Sequence, residues 1–292
     1  MTISEATDKD KFTEIETLRQ VLLDMVSESE SRLTPRALEK KLSQKLSVPK
    51  SAFKTAVNDL VANGELVYTY TFGASFLEKS FNRPVRISKK ITLKPPGVFY
   101  RPVPGEIVVK LMHGASFGTG DHPTTRIAAK GIEWVLSTRD FFHNDKDLQV
   151  LDIGTGSGIL AIIAVLLGAK TGVGIDIDPC ARSEAKKNIT LNHLENQIEI
   201  LDQSLEQLDK TFSIITANLR YPTLKWLSPL IAKKTEKGGV VVISGIRTDE
   251  VSDLLKVYGQ RHFRCVWEKI EKGWAGLVFT LPEDLLQEFE VN

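Results

Sequence analysis

Hydrophobic residues recur at helical spacing through the first sixty residues of the chain, and short continuous apolar runs become common later in the chain. Amphipathic stretches begin near Phe12, after Thr34-Pro35 and after Pro49, and Asn63-Gly64 is a typical helix stop. Residues Glu65 to Phe72 are rich in β-branched and aromatic side chains, which predicts a strand. Three helices followed by a strand pair predict a winged-helix-like domain over residues 1–82.

A basic segment over residues 83–104 follows this domain. It ends near Lys94-Pro95-Pro96-Gly97, a combination that breaks regular structure. We therefore interpret residues 83–104 as a linker.

Beyond the linker, short apolar runs alternate with amphipathic segments, and helical patterns separate the first five runs. This alternation predicts an α/β domain over residues 105–292 with a mostly parallel sheet. The last two runs lack a helical spacer, and Glu271-Lys272-Gly273 between them predicts a hairpin and an antiparallel last strand. The runs are Gln149–Ile153, Gly172–Asp176, Ile198–Leu201, Phe212–Ala217, Val240–Ile243, Phe263–Glu268 and Trp274–Leu281.

The amino-acid composition of the chain indicates which partners and which cellular compartment to expect. The chain has 292 residues with 38 Lys and Arg against 37 Asp and Glu, so no global charge draws it to nucleic acid or to a membrane. Cys180 and Cys265 are the only cysteines, which excludes a disulfide framework and favours the cytosol. Five scattered histidines predict no metal site. No apolar run is long enough to predict a membrane span.

Positive charge does gather locally in the first domain. Lysines lie on its second and third helices, where winged helices place their nucleic-acid-reading surface. The alternatives are a solvated face and a surface that binds only protein. The lysines are Lys40, Lys41, Lys45, Lys50 and Lys54.

The strongest local signal is a buried strand that runs into a glycine turn and then a helix, from Val150 to Leu160. Ile159 stands where the dinucleotide pattern G-x-G-x-x-G requires Gly or Ala, which argues against NAD. The pattern D-x-G-x-G-x-G instead resembles the first motif of class I S-adenosylmethionine-dependent methyltransferases, which have a seven-stranded sheet with an antiparallel last strand. The resemblance implies cofactor binding at Asp152, Gly154, Gly156 and Gly158.

The second signal is Gly174 to Pro179, in which Asp176 ends the next strand. An acid at this distance from the glycine turn suits the ribose hydroxyls of an adenosyl cofactor. Asp178 precedes Pro179 and has the position of a helix cap. We assign Asp176 to binding of the ribose and Asp178 to a structural role as a helix cap.

The third and most specific signal is Phe117 to Thr125. Gly118, Thr119 and Gly120 would allow close backbone approach, and the following Pro123 and threonines begin a helix whose free amides suit the methionine carboxylate of the cofactor.

This segment resembles a motif of the ribosomal protein L11 methyltransferase (PrmA) family and of related protein lysine methyltransferases. The other motifs occur in the same order, with Ala217-Asn218-Leu219 and Ser244-Gly245-Ile246 after them. The resemblance covers the chain from about residue 105 to its end. It implies that Thr125, Gly154, Asp176 and Asn218 contact S-adenosylmethionine and that the acceptor is a protein amine.

Two departures keep the acceptor open. Residues 12–72 differ from the α+β recognition domain of the ribosomal enzymes, and we expect them to select the acceptor. Arg220 follows Asn218 where the family has small aliphatic residues, so that a cation could lie beside the acceptor. Two alternatives remain: a nucleic-acid methyltransferase, and a winged-helix regulator that senses S-adenosylmethionine.

The sequence leaves the catalytic residue unassigned between two candidates. Asn218 and His122 are the candidates, since Asn218 would lie where substrate meets cofactor and His122 could accept a proton from an incoming amine. Within its motif, His122 could equally order the loop.

Overall fold

The computed structural model of the chain describes residues 8–29, 32–71, 73–80, 83–112, 122–138, 141–142 and 147–282. It divides into two compact units, Met1–Arg83 and Pro84–Asn292.

The first unit contains three helices and an antiparallel strand pair, in the order that the sequence predicts. Thr34 caps the second helix, since its hydroxyl accepts a hydrogen bond from the Ala37 amide at 3.2 Å. A single bridge joins Leu33 to Leu77 at the edge of the strand pair. The winged-helix assignment stays a prediction. The elements are α1 (Asp8–Glu28), α2 (Pro35–Ser43), α3 (Lys50–Ala62), β1 (Leu66–Thr71) and β2 (Ala74–Lys79).

Each element of the first unit contributes apolar side chains to a core of its own. Leu22, Leu38 and Leu60 are completely buried, and Leu66 and Leu77 close the core from the strands. Burial of this size gives the first unit an independent hydrophobic core.

The second unit is built on a seven-stranded sheet of order β11-β12-β10-β9-β6-β7-β8, in which β12 is antiparallel to both neighbours. This is the predicted class I methyltransferase fold with an antiparallel last strand. The strands are β6 (Gln149–Ile153), β7 (Thr171–Ile175), β8 (Ile198–Leu201), β9 (Phe212–Asn218), β10 (Thr235–Arg247), β11 (Arg264–Glu271) and β12 (Trp274–Thr280).

Helices cover both faces of this sheet. Two separate apolar clusters lie against the two faces, one with residues of α4, α5 and α6 and the other with residues of α7 and α8. Strands buried on both sides explain why the sequence shows continuous apolar runs instead of alternation. The helices are α4 (Pro123–Ser137), α5 (Ile159–Leu166), α6 (Pro179–Leu191), α7 (Tyr221–Lys234) and α8 (Val251–Gly259).

The structure differs from the predicted linker. Residues 84–104 belong to the second unit and contain β3 (Val85–Arg86) and β4 (Ile91–Lys94), which form a small sheet with β5 (Ile107–Lys110). Ile91 and Leu93 are buried in the core of the second unit. Lys94-Pro95-Pro96-Gly97 therefore ends a strand within this small sheet and does not separate two domains.

A second difference concerns the connection between β8 and β9. The sequence predicts a helix there, but the structure has only a 3-10 turn at Leu205–Gln207. A turn of three residues is too short to cover the sheet as an α-helix would. Within the described residues, no helix is both long and apolar enough to cross a membrane.

Candidate functional site

The glycine turn after β6 has a backbone that only glycine adopts without strain. Gly154, Gly156 and Gly158 have φ values of +67°, +54° and +80°. A Cβ atom at Gly154 would lie 2.5 Å from Cδ2 of Leu219. The turn therefore presents bare backbone at the carboxyl edge of the sheet, where α/β folds bind their ligands.

Asp152 lies behind this turn and holds it in place. Its side chain is buried, and its two oxygens accept hydrogen bonds from the hydroxyls of Thr155 and Thr216, each at 2.7 Å. Burial raises the pKa of Asp152 to about 6 against the opposing effect of these hydrogen bonds. Asp152 thus acts as a positioning residue for the turn.

Asp176 joins the end of β7 to the glycine turn. One carboxylate oxygen accepts a hydrogen bond from the Gly156 amide at 2.9 Å, and the other accepts one from the Asp178 amide at 2.9 Å. The side chain is half-buried, so a ligand can reach it from the edge of the sheet. Asp178 caps α6 by accepting from the Cys180 amide at 2.8 Å, as predicted.

The side chain of Arg182 stabilises the backbone at Asp176 and Ile177 by hydrogen bonds. Its guanidinium donates to the carbonyls of Asp176 and Ile177 at 2.8 and 3.2 Å, and it pairs with Asp202 at 2.8 Å. Ile177 is 98% exposed although it is apolar. An exposed apolar side chain beside Asp176, the predicted ribose acid, would suit the adenine of an adenosyl cofactor, although the sequence alone gives no signal for Ile177.

The start of α4 faces the end of β9. Thr125 is completely buried, and its hydroxyl lies 3.5 Å from the side-chain nitrogen of Asn218. His122 caps α4, with Nδ1 2.8 Å from the Thr124 hydroxyl and 3.4 Å from the Thr124 amide. Burial lowers the pKa of His122, and the charges of Arg126 and Arg247 lower it further. His122 is therefore neutral at neutral pH and orders the helix start.

The end of β10 completes this part of the site. The Ser244 hydroxyl donates to the carbonyl of Thr124 at 2.6 Å, and Leu219 donates its amide to the Ser244 carbonyl at 3.1 Å. Gly245 has φ +94°, and a Cβ atom there would lie 2.3 Å from the Leu219 carbonyl oxygen. The three motif segments at residues 124, 218 and 244 thus form one packed structure.

A buried asparagine connects the glycine turn to β5. Asn188 on α6 donates to the Ser157 carbonyl at 2.8 Å and accepts from the Met112 amide at 3.0 Å. Asn192, one turn later, bonds both backbone groups of Lys110. The sequence does not predict either contact, because polar positions on an amphipathic helix are usually exposed.

Aromatic and cationic side chains lie where β10 ends and β12 begins. The ring of Trp274 contacts His122 edge-on at 5.0 Å, and the Arg247 guanidinium lies 4.1 Å above it. Arg126 pairs with Glu271 at 2.8 Å. Arg220 is exposed at the start of α7.

The structure brings most of the predicted site residues together. Asp152, Gly154, Gly156 and Gly158 lie at or behind one turn, with Asp176 bonded to it, while Thr125 and Asn218 form a second group. The predicted Gly118, Thr119 and Gly120 lie outside the described residues. Among the described residues, no group of three or more His, Cys, Asp or Glu side chains is placed to hold a metal ion.

Known proteins resemble most of this chain, and the family match includes nearly all of the second unit. A family model described as ribosomal protein L11 methyltransferase (PrmA) matches residues 76–282. The ribosomal protein L11 methyltransferase of Geotalea uraniireducens is 33% identical over 207 residues, covering 70% of this chain and 66% of that protein. Its counterpart in Clostridium perfringens is 38% identical over 203 residues, covering 70% and 62%.

A solved structure shows the same arrangement. The crystal structure of ribosomal protein L11 methylase from Lactobacillus delbrueckii subsp. bulgaricus is 30% identical, with a TM-score of 0.61, and the match covers 68% of this chain and 99% of that one. The match spans just under two thirds of the length of these curated relatives.

Proposed function

The chain belongs to the ribosomal protein L11 methyltransferase family, and on that premise we propose that it transfers methyl groups from S-adenosylmethionine to an amine of a protein. One observation carries the proposal. The carboxylate of Asp176 accepts a hydrogen bond from the Gly156 amide at 2.9 Å, so the ribose acid and the glycine turn form one site.

The residues at this site fit S-adenosylmethionine. At Gly154 the positive φ favours glycine and an added side chain would displace Leu219, so the turn keeps bare backbone, which suits a ligand that lies against it. Asp176 would accept from the ribose hydroxyls, and Ile177 would cover the adenine. Thr125 and Asn218 would hold the methionine end of the cofactor.

The protein's own part in the reaction is alignment. When bound, S-adenosylmethionine supplies a methyl group on a positively charged sulfonium, so its leaving group is already activated. Asp152 and Asn188 hold the loops that orient the cofactor. Asn218, half-buried at the end of β9, would orient the acceptor, and the packed edge around Ser244 excludes water.

An acceptor lysine must lose a proton before it attacks. The ordinary pKa of lysine is about 10.4, so that at neutral pH the ammonium form dominates. Arg247 is exposed beside Trp274, and Arg220 is exposed after Asn218. Positive charges near an incoming ammonium lower its pKa, which favours the reactive amine. A strong general base is then unnecessary, and His122 serves as the cap of α4.

The acceptor proposed first is ribosomal protein L11, the protein named in the descriptions of the relatives. We place the reaction in the cytosol, because Cys180 and Cys265 are both exposed and unpaired by a disulfide, as in a reducing compartment.

The test is a transfer assay with labelled S-adenosylmethionine and an extract of the source organism in which the gene is deleted. We expect label in protein with the unaltered chain and, at cofactor concentrations below saturation, about tenfold less label or lower with Asp176→Ala. Label in nucleic acid would support the rival methyltransferase class. Cofactor binding without transfer to any macromolecule would support the regulator.

A further inference from the structure

Positive charge is concentrated on one part of the first unit. From Arg32 to Asn58 the sequence has seven Lys and Arg residues and a single acid, Glu39, whereas the whole chain is nearly balanced. This stretch covers α2, the connection to α3 and most of α3. The excess of six positive charges over 27 residues is therefore local and belongs to two neighbouring helices.

Most of these charges are available to a partner. Arg32 pairs with Glu78 at 2.9 Å, and Lys50 lies 3.9 Å from Glu39, a contact that places the start of α3 beside α2. Within this described stretch, four exposed lysines have no carboxylate within 4 Å. They are Lys40, Lys41, Lys45 and Lys54.

Helix α3 has one exposed polar face. Ser51, Lys54, Thr55 and Asn58 are exposed and follow the spacing i, i+3, i+4, i+7, which places them on one side of the helix. The opposite side, centred on Phe53, is buried. The exposed side presents hydroxyls, an amide and an ammonium group, and none of its four residues is acidic.

The strand pair adds two exposed aromatic residues. Tyr68 is 47% exposed and Tyr70 is 76% exposed, and positions two apart on a strand share one face. A phenol hydroxyl can donate to a phosphate oxygen.

We propose that the exposed face of α3 binds the major groove of duplex DNA, with Lys45 and Lys54 on the phosphates and Tyr70 beside the backbone. An α-helix with its side chains is about 10–12 Å wide, which matches the major groove of B-form DNA. Asn58 and Thr55 have the side chains that read adenine and thymine edges. The narrow major groove of duplex RNA does not admit a helix, so duplex DNA is the partner that fits.

The experiment measures binding of the full chain to a fluorescein-labelled DNA duplex of about 20 base pairs, two helical turns, by fluorescence anisotropy at several salt concentrations. The test variant is Lys45→Gln with Lys54→Gln. The control is Lys233→Gln with Lys237→Gln, which removes the same charge from exposed positions of the second unit. Thermal unfolding of both variants confirms that they fold.

We expect the test variant to bind DNA about tenfold or more weakly and to lose about two from the slope of log affinity against log salt, because two phosphate contacts are gone. The control should bind like the unaltered chain. Equal losses in both variants, no binding by the unaltered chain, or tighter binding to an RNA duplex or a single strand of the same sequence would overturn the proposal. If the test variant unfolds, Asn58→Ala replaces it, and its binding to DNA duplexes of different sequence is compared. We expect Asn58→Ala to lose the preference that the unaltered chain shows between these duplexes. An unchanged preference would contradict the proposal.

Discussion

The side-chain nitrogen of Asn218 lies 3.5 Å from the hydroxyl of Thr125, although 93 positions separate the two residues in the chain. The start of α4 and the end of β9 therefore form one surface. The hydrogen bond from the Ser244 hydroxyl to the Thr124 carbonyl joins α4 to β10. Three short motifs that are far apart in the sequence thus act as one unit beside the cofactor turn.

Replacing Asp176 by Ala should weaken S-adenosylmethionine binding by about tenfold or more, measured by calorimetry. The substitution removes a charge-assisted acceptor for the ribose and the bond to the Gly156 amide. Asp178→Ala is the matched control, since Asp178 caps α6 and should affect stability by about 1 kcal/mol but leave affinity unchanged. Equal affinity in the unaltered chain and Asp176→Ala would refute the ribose assignment.

Replacing Gly154 by Ala should lower both stability and cofactor affinity. Alanine at a positive φ costs about 1–2 kcal/mol, and the new methyl group would also displace Leu219. Gly105→Ala separates the two effects, because Gly105 has φ +80° and a methyl group added there would meet no atom within 4 Å. The control should lose stability alone. Loss of affinity in Gly105→Ala, or normal affinity in Gly154→Ala, would contradict this account of the turn.

The sequence predicts the sheet and the glycine turn well for a physical reason, while cofactor binding at the turn stays a prediction. Buried parallel strands need continuous apolar runs, and a turn with φ values above +50° needs glycine, so both leave local signals such as Val150 to Gly158. The separation of Asp176 from the turn along the sequence likewise indicates that the two lie near each other, and the role of Asp176 toward the ribose stays a prediction.

Long-range contacts leave no such signal. Asn188 joins Ser157 to Met112 over separations of 31 and 76 positions, and nothing near Asn188 in the sequence indicates either partner. The predicted linker failed for the same reason. Pro95 and Gly97 break local structure, but only the tertiary packing of Ile91 and Leu93 shows that β4 belongs to the second unit.

Asp152 should give the protein a pH-dependent stability. Its pKa of about 6 in the folded chain exceeds its ordinary value of 3.8, so the folded state binds more protons between these values. The stability contributed by the protonated form is therefore complete below about pH 3.8 and is lost as pH rises through about 6. The free energy of unfolding of the unaltered chain, minus that of Asp152→Asn, should fall by about 3 kcal/mol over this range.

Chemical denaturation at a series of pH values measures this difference. Ser228→Ala, a buried substitution without an ionisable group, should differ from the unaltered chain by a constant amount. A constant difference for Asp152→Asn as well would show that Asp152 does not titrate as its burial requires.

The boundary of the second unit predicts which fragments fold. A fragment of residues 84–292 keeps β3 and β4 and should bind S-adenosylmethionine like the full chain. A fragment of residues 98–292 loses Ile91 and Leu93 from the core and should unfold at a lower temperature. Calorimetry and thermal unfolding measure both properties. Equal stability of the two fragments would mean that the small sheet adds nothing to the second unit.

The central claim is methyl transfer to an amine of ribosomal protein L11, and mass spectrometry of this protein, purified from the source organism with the gene deleted, tests it most directly. After incubation with the chain and S-adenosylmethionine, we predict a mass increase by whole methyl groups, located on a lysine side chain or the terminal amine. Asn218→Ala should slow this increase, while Asn196→Ala, an exposed asparagine at the opposite edge of the sheet, should not. An unchanged mass, with normal cofactor binding by the same sample, would contradict the claim.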